Sequence, residues 1–235
     1  MVFDRIARLA IALLLAVLAT GCATTGNKDP WEPLNRKTHA FNTVLDDVVL
    51  RPTATAYTKV VPGFARQGVN NFFDNLEDLN TSLQNILQGK VREGISDFGR
   101  LVVNSTFGVF GLWDVATQMG LEKHYEDFGQ TLGFWGVGPG PYFVIPLLGP
   151  STLRDAPSRV VDPSWWYADA INPESLWWGL WGLEKVRLRA NLMQAESVLE
   201  EAAIDKYSFI RDAWMQRRRS MVYDGSPPRL KEDED

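Results

Sequence analysis

Residues 65–102 read ARQGVNNFFDNLEDLNTSLQNILQGKVREGISDFGRLV, and their spacing decides the fold class. Ala65, Val69, Phe72 and Leu76 step by threes and fours, as do Leu79, Leu83, Ile86 and Leu87. Val91, Ile95, Phe98 and Val102 then hold the i, i+4, i+7, i+11 pattern of a single helical face. The three sets predict three helices, the second stopped by Gly89. Upstream, Leu34, Phe41, Val44 and Leu45 predict a helix from about Pro33 to Asp46, and Ala54, Tyr57 and Val61 another between Pro52 and Pro62. Downstream, Asn172-Pro173-Glu174 supplies an N-cap, a first-turn proline and an early carboxylate for a helix reaching about Ala203. A last helix follows from about Lys206 to Tyr223, with Ile210, Trp214 and Met221 on one side and Arg217-Arg218-Arg219 beside it. No alternating run is long enough to compete as a strand, so the expected class is all-α.

One segment departs from this pattern. Phe128 to Leu153 is 26 residues without a formal charge, long enough by polarity alone to suggest a membrane span. Gly129, Gly133, Gly136, Gly138, Gly140 and Gly149, with Pro139, Pro141, Pro146 and Pro150, would break any continuous helix. Uncharged, aromatic, irregular backbone at membrane depth needs protein or a water-filled cavity around it, because lipid offers its amides no partner. The segment is therefore expected to be the functional centre. Gly138 and Gly140 supply backbone freedom, Tyr142 joins the wall, and Arg154 and Asp155 at its end meet a phosphate or form a polar channel wall. The competing expectation for Arg154 and Asp155 is a structural ion pair, and for the segment a glycine-rich surface loop.

Six of the nine tryptophans lie between Trp135 and Trp181. From Leu176 to Leu183 the long C-terminal helix is apolar or glycine almost all round, which suggests a lipid-facing or deeply buried half. Trp165, Trp166, Trp177, Trp178 and Trp181, with Lys185, Arg187 and Arg189 just beyond, place aromatic and basic groups as a bilayer interface uses them.

The N-terminus reads as an export signal. Arg5 and Arg8 precede the apolar run Leu9 to Ala19, 11 residues long. A helix that crosses a bilayer needs about 20. Leu18-Ala19-Thr20-Gly21 then leads into Cys22, the only cysteine, at the position where a bacterial lipobox carries its acylated thiol. Leucine usually sits three before that cysteine, where this chain has Ala19. Residues 1–21 are thus expected to be a lipoprotein signal, 22–28 a tether, 29–223 one helical domain and 224–235 a disordered tail. Ala23 follows the cysteine in place of an aspartate, which by the enterobacterial sorting rule directs such a lipoprotein to the outer membrane.

The 235 residues carry 24 basic and 29 acidic side chains, net −5, and no basic tract that would suit nucleic acid. One cysteine and two histidines, His39 and His124, leave no zinc constellation and no disulfide framework. No nucleophile elbow, HExxH motif, P-loop or dinucleotide fingerprint is present, so catalytic residues and cofactors are expected to be absent, the covalent lipid on Cys22 apart. His124 could pair with Glu126 or Asp127 as any surface histidine does, and Asp46-Asp47 and Glu200-Glu201 read as solvated faces.

Several blocks, in order, resemble the VacJ/MlaA family of outer-membrane lipoproteins. They are Asp29-Pro30-x-Glu32-x-x-Asn35-Arg36 with Phe41-Asn42, Arg51-Pro52, Val61-Pro62, and Asn71-Phe72 with Asn75-Leu76-Glu77. Asn104-Ser105-x-x-Gly108 with Asp114-Val115-Ala116 follows, then Phe128 to Gly133, Gly138 to Tyr142, Pro146, Gly149 and Arg154-Asp155. The resemblance implies a ring of amphipathic helices in the inner, periplasmic leaflet of the outer membrane around a central channel. It further implies a non-enzymatic role, moving mislocalised phospholipid from the outer leaflet to a soluble periplasmic carrier of the Mla pathway, in association with a trimeric porin. The rival readings are a lipid-modifying envelope enzyme and a structural porin-associated lipoprotein.

Overall fold

The computed structural model describes residues 29–161, 173–202 and 205–229. Cys22, Trp165 and Trp166, the signal and tether, and the tail beyond 229 lie outside the described residues. Among the described residues the fold is all-α apart from one short hairpin. Helix α1 (Glu32–Leu45) passes through a π-helical turn (Asp46–Leu50) directly into α2 (Arg51–Val60). Pro62 ends that run, and α3 (Gly63–Leu87) follows. Gly89, at φ +80°, turns the chain into α4 (Val91–Thr106), which packs back along α3. The short helices α5 (Val115–Gln118), α6 (Phe128–Phe134) and α7 (Ser158–Val161) precede the long α8 (Glu174–Ala202) and α9 (Lys206–Val222).

The α3–α4 pair is built inside out. Its buried side chains are Asn75, Asp78, Asn80, Thr81, Ser82, Gln84, Asn85, Asp97, Arg100 and Asn104, whereas Leu79, Leu83, Ile86, Val91, Ile95, Phe98 and Val102 are exposed. Buried polar groups require partners, and these largely supply one another. Asn85 Nδ2 donates to Asp97 Oδ2 at 2.8 Å, Ser82 Oγ to the Gly94 carbonyl at 2.7 Å, and Arg100 holds both carboxylate oxygens of Asp114 at 3.0 Å. The apolar stripes of the second half of α3 and of α4 therefore face outward, the reverse of a water-soluble bundle.

The sequence reading broke the chain between Leu76 and Leu79, but α3 is continuous because no glycine or proline interrupts it there. What changes is the phase of the apolar residues: Phe72, Phe73 and Leu76 line an internal cavity, and Leu79, Leu83 and Ile86 turn outward. The helices approach closely at Gly94, where a Cβ would meet Ile86 Cγ1 at 2.7 Å and the Ser82 carbonyl at 2.9 Å. Gly94→Val is expected to destabilise the protein by about 1 to 3 kcal/mol through overpacking. Thermal unfolding in detergent checks this, and a variant melting with its parent would refute the close approach.

The expectation of no strand was wrong. Tyr142–Ile145 (β1) and Gly149–Thr152 (β2) form an antiparallel hairpin, with Tyr142 opposite Thr152 and Ile145 opposite Gly149. The run Tyr-Phe-Val-Ile is aromatic and β-branched, and its edge is completed by α1. Asn35 donates to the Tyr142 carbonyl at 3.1 Å and accepts from Val144 N–H at 3.0 Å. Asn42, two turns on, donates to the Ile145 carbonyl at 3.0 Å and accepts from Leu147 N–H at 2.8 Å. Two asparagine amides thus act as the missing neighbouring strand, a long-range partnership that local periodicity cannot reveal.

Between α4 and α5 a tight loop carries Phe107, Phe110 and Trp113 outward. Val109 and Phe110 have positive φ, and Gly108 has no room for a Cβ against the carbonyls of Trp113 and Asn104. Gly111 N–H donates to the Asn104 carbonyl at 2.9 Å and Trp113 N–H to the Gly108 carbonyl at 2.8 Å, closing the loop.

Candidate functional site

Three helices each turn one face toward a cavity of about 570 Å³. Helix α3 contributes Phe72, Phe73, Leu76 and Glu77, and α9 contributes Trp214, Arg217, Arg218 and Met221. Helix α8 contributes Trp177, Leu180, Trp181, Glu184, Lys185 and Leu188, each set at the three- and four-residue spacing of one helical face. Asn80 of α3, Arg187 of α8, Leu148 and Ser151 of the hairpin, and Asp127, Asp155, Ser158 and Arg159 complete the wall.

The lining mixes aromatic and aliphatic surface with charge, and most of the charge is paired. Arg218 Nη2 lies 2.9 Å from Asp127 Oδ1 and 2.8 Å from Asp155 Oδ1. Arg187 reaches Asp74 Oδ1 at 3.0 Å with its guanidinium over the Phe73 ring, and Lys185 reaches Glu184 at 3.1 Å and lies over Trp181. Burial pushes the Asp155 carboxyl up, but Arg154 and Arg218 outweigh it and hold the group below the usual carboxylate range. Glu77 keeps solvent contact, yet its desolvation by surrounding protein raises its pKa, opposed mainly by Lys123. Such a lumen sets apolar surface and charge side by side.

A family model for the MlaA lipoprotein matches residues 27–221. The chain belongs to the MlaA lipoprotein family. It is 36% identical over 225 residues to the intermembrane phospholipid transport system lipoprotein MlaA of Shigella flexneri, covering 89% of this chain and 86% of that one. The same values hold for the lipoprotein of that name in Escherichia coli K12. A structure solved to explain the maintenance of bacterial outer membrane lipid asymmetry superposes with a TM-score of 0.69 at 34% identity, covering 83% of this chain and 100% of that chain. Homology to MlaA lipoproteins thus joins an independent physical pattern, an apolar exterior around an amphipathic lumen.

The residues singled out from sequence fall in several places. Asp155 lines the cavity, but Arg154 does not: it is buried, with Nε 2.9 Å from Asp155 Oδ1, so the structural ion pair describes it. Tyr142 is 1% exposed and packs edge-on against Tyr207 and Trp214, one layer behind the lumen. Gly140 has φ +66° and would set a Cβ 3.2 Å from that of Leu153, whereas Gly138 lacks a positive φ and borders open space, so the strain expected there is absent. Trp177 is buried and Trp181 half-buried, both lining the cavity, so they are lumen residues; Trp178 is exposed.

The basic groups expected at an interface point inward instead. Arg189 grips Asp46 through two bonds of 2.6 and 2.8 Å, which also corrects the reading of Asp46 as solvated, and Arg187 is buried on Asp74. His124 Nδ1 pairs with Asp97 at 3.0 Å, while Glu126 and Asp127 are engaged by Lys90 and Arg218. The α3 and α9 linings were missed. Their signals were the phase change after Leu76 and the Trp214, Arg217, Arg218, Met221 stripe. Among the described residues, no helix is long and apolar enough to cross a membrane.

Proposed function

We propose that this chain is an outer-membrane lipoprotein, anchored through acylated Cys22 in the periplasmic leaflet, that removes mislocalised phospholipid from the outer leaflet. The lipid passes through the amphipathic cavity to a soluble periplasmic carrier, and a trimeric porin holds the protein in place. The observation that carries the reading is the double inversion of polarity: helices apolar outside and polar inside, enclosing a lumen that is aromatic and charged at once. An exterior of this kind is satisfied by hydrocarbon, which needs no hydrogen bonds, and each buried polar group is kept inside. Acyl chains hold the protein at the bilayer without a spanning helix. No nucleotide-binding motif is present, so any uphill step belongs to another component.

Deleting the chain is expected to raise phospholipid in the outer leaflet, and restoring it to reverse the rise, read by surface labelling of lipid in intact cells. An unchanged outer leaflet would overturn transport in favour of a scaffold. Release of free fatty acid by the purified protein, abolished by His124→Ala, would instead establish the enzyme reading.

A further inference from the structure

We propose that the cavity receives a zwitterionic phospholipid headgroup between Arg217 of α9 and Glu77 of α3, the guanidinium taking the phosphodiester and the carboxylate the ammonium. The assignment rests on the conduit reading and names the headgroup that the conduit takes.

A census of the lumen's charges leads to these two residues. Arg218 is held by Asp127 and Asp155, Arg187 by Asp74, and Lys185 by Glu184. Arg159 is engaged as well. Arg217 lines the same cavity and is exposed, yet it forms no ion pair or hydrogen bond among the described residues. Glu77 likewise accepts no hydrogen bond among the described residues. The two cations whose charge acts on it, Lys123 and Arg187, are already committed to Asp78 and Asp74. Among the described residues the cavity therefore presents one unspent cation and one unspent anion that do not neutralise each other.

A phosphoethanolamine headgroup carries both complementary groups, a phosphodiester and an ammonium. Arginine suits the phosphate because its planar fork can bind two oxygens at once. Phe72, Phe73 and Leu76 lie within about a turn of Glu77, and Trp214 and Met221 flank Arg217, so acyl chains find apolar surface beside each charge. Glu77 is exposed to the cavity, yet desolvation by the surrounding protein raises its carboxyl above the ordinary value, and an ammonium delivered beside it would offset that desolvation.

The test uses the full chain purified in detergent and mixed micelles of phosphatidylethanolamine or phosphatidylglycerol, which share the phosphodiester and differ in the ammonium. Wild type is expected to bind the ethanolamine lipid about tenfold more tightly, the scale of one charge-assisted hydrogen bond. Glu77→Gln should abolish that preference while leaving phosphatidylglycerol binding unchanged. Arg217→Gln should weaken both lipids about tenfold, with Arg217→Lys recovering most of the loss. Neither side chain has a bond to lose, so all variants should unfold with the parent. Equal binding of the two lipids by wild type, or a preference that survives Glu77→Gln, overturns the assignment and leaves the conduit standing. Failure to bind either lipid would overturn the conduit itself.

Discussion

Arg218→Met is expected to destabilise the protein by about 3 to 5 kcal/mol, the scale for removing one partner of a buried ion pair. Arg218 is 9% exposed and spans two elements, bonding Asp127 at 2.9 Å and Asp155 at 2.8 Å. Asp127 is also the N-cap of α6, accepting from Gln130 N–H at 2.9 Å, so one guanidinium joins α9 to the start of α6 and to the end of the hairpin segment. Methionine keeps the length of the side chain but leaves two carboxylates facing a cavity without their shared cation. Arg154 still neutralises Asp155, so the larger share of the loss falls on Asp127. A domain of this kind has a net stability of about 5 to 15 kcal/mol, and such a loss should reduce the amount of protein in membranes as well as its resistance to denaturant. Because Asp155 is held below the ordinary carboxylate value, its contribution is complete at neutral pH and is lost as pH falls below the ordinary carboxylate range and through the folded pKa. Denaturant unfolding of Arg218→Met beside Arg217→Gln checks the assignment of roles, since only the first should move. Unfolding of Arg218→Met at the parent's midpoint would remove the link from the architecture.

These two adjacent arginines also show where sequence reading stops. The run Arg217-Arg218-Arg219 was visible beside an apolar stripe, but nothing local distinguishes a guanidinium held by two carboxylates from a neighbour with none. Both carboxylates are distant in sequence, at 127 and 155. Helix existence was legible because apolar spacing is a local property, and α4, α8 and α9 lie where that spacing put them. The direction of the faces was not. Spacing of Val91, Ile95, Phe98 and Val102 marks an apolar stripe without saying whether protein or lipid covers it. The complementary stripe, Asp97, Arg100 and Asn104, held the answer, because three strongly polar residues on one face of a helix packed against polar Asn75, Asp78 and Asn85 form a core only where the exterior is drier than the interior. The hairpin failed for a different reason. Its edge is satisfied by Asn35 and Asn42, more than one hundred residues away.

The outward stripe of α4 gives the second large effect. Ile95 is 65% exposed and Phe98 52% exposed, on the face opposite Asp97 and Arg100. On a protein surrounded by water, replacing an exposed aromatic or aliphatic side chain by aspartate changes stability by no more than about 0.5 kcal/mol. In hydrocarbon the same change carries about 2.5 to 3.5 kcal/mol for each aspartate near a helix centre. The two environments therefore predict different results for one pair of substitutions, Ile95→Asp and Phe98→Asp. The acyl anchor would mask the difference, so the test uses the signal-cleaved protein with Cys22→Ser and vesicles of phospholipid alone, with no porin to serve as an alternative cover. The Cys22→Ser parent is expected to remain with the vesicles through an alkaline wash, held by α4 and the Phe107, Phe110 and Trp113 loop. Each single aspartate should shift it toward the soluble fraction, and the pair together should release most of it, with helix content unchanged because the polar core of α3 and α4 is untouched. Release of the unsubstituted Cys22→Ser protein would mean that acyl chains alone hold the molecule at the bilayer. Retention of the double aspartate variant would mean that the α4 stripe meets something other than lipid, and the inverted polarity of the α3–α4 pair would then need a protein partner to explain it.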